Sequence, residues 1–161
     1  MARFRLDSGA ILDAIDQGAR EGLDMATAFV ANEAKSLAPQ GETSHLKQSI
    51  GPGTSTGSYL QNTLRSSVTA GAPYASYVEF GTGERGESPP ASGQKYAIRP
   101  KNRKALRFAA PGGGGFVFVS GTIWHPGMRA KPYMRPAIAN NVGRIEDLVA
   151  AAIENALDRL E

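Results

Sequence analysis

The stretch APYASYVEFGTGERG, residues 72–86, sets a carboxylate, Glu79, between Val78 and Phe80 and follows it with Gly81-Thr82-Gly83. A carboxylate in apolar company is suited to general acid or base chemistry, and a glycine-rich turn beside a helix is where a phosphate can rest. Neither reading has the spacing it needs. The glycines form neither GxGxxG nor a GxxxxGK loop ending in Ser or Thr, and no second carboxylate or histidine is placed by sequence to share a proton with Glu79. PYASYVEFG reads instead as a two-turn helix. Pro73 opens it, Tyr74, Tyr77 and Val78 share a face, and Gly81 ends it in a left-handed conformation. Glu79 then falls in the last turn, where the helix dipole disfavours a negative charge by a few tenths of a kcal/mol or more. It is expected to pair with a basic side chain of this chain or of a neighbouring copy.

The remaining candidates for chemistry are sparse. His45 and His125 have no metal-ligand spacing, and the absence of cysteine removes disulfides and thiolate metal sites. A hydrolase built on His125 and Glu79 is the weakest option, because no GxSxG elbow nominates a serine. His125 lies in WHPGMRAKPYMRPAI, residues 124–138, where Pro126-Gly127 predicts a type II turn inside a shaped connector. Trp124, His125, Arg129, Lys131, Tyr133 and Arg135 alternate aromatic with basic character, a pattern that can stack single-stranded nucleic acid. No RNP, KH or helix-turn-helix pattern accompanies it.

Charge distribution is more informative than net charge, which is +3. From Lys95 to Arg135 there are nine basic residues and no acidic one, half of the chain's 18. Such a stripe attracts phosphate or an acidic protein surface, or is a solvated strand face balanced by acidic helices. Lys101, Arg103, Lys104, Arg107, Arg129 and Lys131 are the candidates for those contacts.

Positioning falls to a few elements within 161 residues, expected as one domain. Leu12, Ile15, Ala19, Leu23, Ala26, Val30, Ala34 and Leu37 predict a helix over 8–37, capped by Asp7 or Ser8 and stopped by Pro39. Gly18 and Gly22 inside it cost about 1 kcal/mol each unless another backbone packs closely there. A second apolar stripe from Ile138 to Leu160 predicts a C-terminal helix opened by Pro136. Both helices need a surface to cover, and the middle of the chain is expected to supply it. There, 66–72, two pieces of 96–110, and FVFVS at 116–120 read as strands, with 105–109 paired to 116–120 around PGGGG. FVFV is apolar throughout, so a helix is expected on one face and a neighbouring copy on the other. Phe116→Asp or Phe118→Asp is expected to abolish folding or assembly. Residues 51–62 and 81–94 read as mobile loops. The fold class is α+β, a small antiparallel sheet packed by long N- and C-terminal helices. No apolar run has signal-peptide or membrane-spanning length, so a soluble protein, cytoplasmic when made, is expected.

The order of parts carries a resemblance. A long helix ending in LAPQGETSHLKQSI is followed by APYASYVEFGTG, IRPKNRKALRFA, GGGFVFV, HPGMRAKPYMRPAI and a last helix. This resembles the neck and tail-completion, or minor tail component, family of lambdoid and other long-tailed bacteriophages, from about residue 10 onward. Its most specific pieces are Tyr77–Thr82, His125-Pro126-Gly127, Pro132-Tyr133 and Pro136-Ala137. The family's TGxLRxSI-like run departs here at Thr43–Ile50, and 51–65 looks padded by an insertion. The resemblance implies a virion protein, in the host cytoplasm before assembly, without enzymatic activity, cofactor or membrane association. It would form a ring at the head–tail junction, of six copies to match the tail or of another order, including twelve. The ring would join the head-completion or connector protein to the tail terminator or tube and let double-stranded DNA pass. Assembly contacts would involve Tyr74, Tyr77, Glu79, Phe80, Thr82, Phe116, Phe118, Trp124, His125 and Tyr133. The alternative is a non-sequence-specific nucleic-acid-binding accessory protein using the 95–135 stripe.

Overall fold

The apolar residues that step by three or four from Leu12 to Leu37 lie on one unbroken helix. In the computed structural model, which describes residues 7–41, 44–87, 93–110 and 112–160, the order is α1 (Ser8–Leu37), α2 (His45–Ser49), β1 (Ile50–Pro52), β2 (Val68–Ala70), α3 (Ala75–Phe80) and a 3-10 turn (Gly83–Arg85). Then come β3 (Tyr96–Ile98), β4 (Leu106–Ala109), β5 (Phe116–Val119), β6 (Ile123–His125), α4 (Met134–Ala139) and α5 (Val142–Asp158). The class is α+β. The strands form three antiparallel pairs, β1–β2, β3–β6 and β4–β5, rather than one sheet. The chain divides into two compact units, Met1–Ala75 with Pro132–Glu161, and Ser76–Lys131.

In the first unit, the Asp7 carboxylate caps α1 by accepting the Gly9 and Ala10 N–H groups at 3.1 and 3.3 Å. The helix ends as Ala38, ahead of Pro39, turns extended. Its stripe is buried first of all against α5. A Cβ on Gly18 would stand 2.8 Å from the Ile153 Cα, and one on Gly22 2.6 Å from the Val149 Cα. Both glycines are therefore sites of close backbone approach, and Ala152 and Ala156 are buried in the same seam. The two long helices supply each other's surface, a correction to the expectation that the middle of the chain does so; the β1–β2 pair adds to it on α1. Pro136 lies in the first turn of α4, as its missing N–H allows. The C-terminal helix breaks after Ala139, and the Asn141 side-chain amide donates to the Ala137 carbonyl at 2.9 Å.

Residues 51–62, expected as a mobile segment, are the outer part of the β1–β2 hairpin. Its pairing, Ile50 with Ala70 and Pro52 with Val68, continues through Gly53 N–H to Ser67 O at 2.7 Å and a bridge between Thr56 and Arg65. Two aspartates of α1, just over two turns apart, hold it. Asp24 accepts the Ser55 N–H at 2.7 Å, and Asp16 accepts the Ser58 hydroxyl and Tyr59 N–H, both at 2.6 Å, with Arg20 Nε at 3.0 Å. The Ser58 hydroxyl first, then Arg20 and the Tyr59 and Leu60 N–H groups, hold the Asp16 carboxyl at about 2 against an ordinary 3.8. A lowered folded-state value makes this anchor fully effective above 3.8 and loses it as pH falls through about 2. Amide NMR of Tyr59 and Leu60 should report that release on acidification, and Asp16→Asn should show the same shifts already at neutral pH. Unchanged amides in the variant would refute the anchor.

In the second unit, α3 ends where Gly81 adopts φ +74°, the left-handed terminator expected there. Of the loop 81–94, residues 88–92 lie outside the described residues, as does Pro111 of the PGGGG tip. The remainder includes the 3-10 turn, a Gly93 N–H to Gly83 O bond of 3.1 Å and a Lys95–Glu84 ion pair at 3.9 Å.

Candidate assembly surface

The EFGTG and HPG segments meet, which accounts for the glycines in both. The Thr82 N–H donates to the Met128 carbonyl at 2.8 Å, and the Met128 N–H donates back to the Thr82 hydroxyl at 3.0 Å. Arg85 N–H reaches Pro126 O at 3.1 Å, and Lys131 N–H reaches Val78 O at 2.8 Å. Gly81, Gly83 and Gly127 are buried within this clasp. Gly127 has φ +92°, and a Cβ there would run into the Thr82 carbonyl. His125 shapes the same turn, its Nδ1 accepting the Gly127 N–H at 2.9 Å, with its ring 5.3 Å from that of Tyr96. The glycine-rich loop is thus a backbone joint rather than a phosphate cradle.

The β4–β5 hairpin pairs Leu106 with Val119, Arg107 with Phe118, Phe108 with Val117 and Ala109 with Phe116, close to the register expected. Alternation puts Arg107, Ala109, Phe116 and Phe118 on one face and Leu106, Phe108, Val117 and Val119 on the other. The helix cover expected over FVFV is not what the structure gives: Phe116, Val117 and Phe118 are 57%, 46% and 67% exposed. The Arg107 guanidinium lies 4.3 Å from the Phe116 ring centre, within range of a cation–π contact. Phe118 also borders an open cleft of about 640 Å³ with Lys101, Arg103 and Arg107 on its walls. A two-stranded hairpin alone is marginal in water, so this arm has apolar surface to spare for a partner.

The other residues singled out from sequence separate by exposure. Tyr74, Tyr77 and Trp124 are exposed, and the Tyr74 hydroxyl lies 3.4 Å from His45 Nδ1. Phe80 and Thr82 are half-buried, Thr82 as part of the clasp. Glu79 is buried, 5% exposed. Tyr133, expected at an interface, is instead core, its ring fully buried where α4 begins. Lys101, Arg103, Lys104, Arg107, Arg129 and Lys131 are all exposed. The anchors Asp16 and Asp24 were missed by sequence reading; acids eight apart on a helix, followed by a Ser- and Thr-rich segment, were the available signal. No helix among the described residues is long and apolar enough to cross a membrane.

These observations define a class, a small α+β protein with a close helix pair and an exposed arm both apolar and basic. Residues 4–81 match the model of the HK97-gp10-like family, described as "Bacteriophage HK97-gp10, putative tail-component". Through that segment, which includes α1 and ends at the glycine that closes α3, the chain is similar to this family of phage tail components. No curated protein and no solved structure gives a significant match.

Proposed function

We propose that this chain is a structural, non-enzymatic subunit of the phage head–tail junction. Copies of it form a neck or tail-completion ring, six to match the tail, between the head connector and the tail tube, with DNA passing through the lumen. The observation that carries the reading is the β4–β5 arm, whose Phe116 and Phe118 are more than half exposed in the single chain. A ring subunit needs such a surface, because each copy must cover and be covered. Charge supports the same reading. Residues 76–131 hold nine basic and three acidic side chains, a net +6, and the rest of the chain holds nine and twelve, a net −3. The cationic unit suits an acidic neighbour or passing DNA, and DNA contacts would go to phosphate alone, since base recognition would stall transit.

Mass measurement of the purified chain at low and high salt, with and without a short duplex, tests this. A closed assembly of six copies that forms without DNA is the expected result. A monomer that shifts DNA at low salt and assembles under no condition would replace the ring with the accessory DNA-binding reading.

A further inference from the structure

We infer that the β4–β5 arm of one copy seats Phe118 in an apolar groove on the first unit of a second copy, an inference that rests on the ring reading and names its contact. The groove is open and about 210 Å³ in volume; its apolar lining is Leu23, Ala26 and Val30 of α1, Val68 of β2, Ile138 of α4 and Ile145 of α5, and Thr27, Ser66 and Ser67 complete it. An apolar cavity of roughly 150 Å³ takes a benzene ring, so the groove has room for one phenyl group. Phe118, at 67% exposure, is the most exposed large apolar residue among the described residues.

Charge selects a second copy as the occupant. Phe118 is paired across the hairpin with Arg107 and shares its cleft with Lys101 and Arg103. On the other side, the unit that holds the groove carries nine basic and twelve acidic residues, a net −3, against +6 for the unit that holds the arm. An aromatic anchor flanked by cations on a net-positive unit therefore meets a largely apolar slot on a net-negative one. A buried aromatic with charges at its rim is the usual anatomy of a protein–protein contact. Arm and groove are different surfaces, so the contact is head-to-tail. Repeated, it continues from copy to copy and closes when the rotation allows. A DNA backbone would use the cations and leave the phenyl ring without a site.

The chain has no cysteine, so single cysteines can report the contact. Full-length Phe118→Cys is mixed with Ile138→Cys under oxidising conditions, and in a control with Ala151→Cys, exposed on α5 away from the groove. Phe118→Asp is run beside them by light scattering, with circular dichroism to confirm folding. The expected result is a heterodisulfide in at least tenfold excess over the control, and at least tenfold weaker assembly of a folded Phe118→Asp. Equal cross-linking in both mixtures, with Phe118→Asp assembling normally, would overturn the arm-in-groove contact and leave the ring standing. A wild type that stays monomeric without cross-linking would overturn both. If a fluorescent duplex binds wild type but not Phe118→Asp, and no heterodisulfide forms, the arm belongs to DNA and the contact is again overturned.

Discussion

Gly127→Ala should take apart the clasp between the EFGTG and HPG segments while leaving the α1–α5 pair intact. Gly127 sits at φ +92°, a conformation that strains any other residue by about 1–3 kcal/mol. Its new methyl group would also run into the Thr82 carbonyl, so Thr82 must move. Moving it breaks the paired Thr82–Met128 hydrogen bonds, each contributing about 0.5–1.5 kcal/mol. The total, on the order of 2–6 kcal/mol, is a large share of what holds an ordinary domain together. Hydrogen exchange gives the clearest readout. Amides of Thr82, Arg85, Met128 and Lys131 should lose protection, and those along α1 should keep theirs. Wild-type protection at these four amides would refute the clasp.

The second large effect is at the helix seam, where the expected sign runs against helix propensity. In an exposed helix, Gly→Ala stabilises by about 1 kcal/mol. At Gly18 and Gly22 the added methyls would meet backbone atoms of α5 at 2.8 and 2.6 Å, and backbone cannot rotate away as a side chain can. Overpacking of this kind costs about 1–3 kcal/mol per site, which outweighs the propensity gain. Gly18→Ala/Gly22→Ala should therefore lose up to about 4 kcal/mol, a fall in Tm of up to about 16 °C. Gly143→Ala makes the internal control. Its Cβ would meet nothing within 4 Å, so Tm should hold or rise slightly. A double variant as stable as wild type would mean that the helices do not approach so closely.

Local signals were legible in the sequence; the identity of the covering surface was not. Asp7 and Pro39 mark the ends of α1, Gly81 ends α3, and Gly112–Gly115 set the β4–β5 register, because each acts within a few residues. An apolar stripe says only that something covers it. The stripes of α1 and α5 were assigned to the middle of the chain, although Gly18 and Gly22 already allowed a close partner. Residues 51–62 are rich in Gly, Ser and Thr, and their order comes from carboxylates more than thirty residues away. Tyr133 lies among prolines and basic residues, a surface-like context that gave no hint of its burial. The break at Asn140 was hidden because the apolar positions continue through it. For the proposed contact, the aromatic and basic residues of the arm stand out in the sequence and lie exposed, while the groove residues did not stand out as a site, since they come from separate elements.

The seam between α1 and α5 also orders events during synthesis. Its halves are separated by roughly a hundred residues of chain, and the ribosome adds about 5–20 residues each second. α1 must therefore wait for seconds with its glycine-lined stripe bare, while every contact of the Ser76–Lys131 unit is already encoded in chain that has emerged. The inserted unit is free to mature first, and the unit that brackets it closes last.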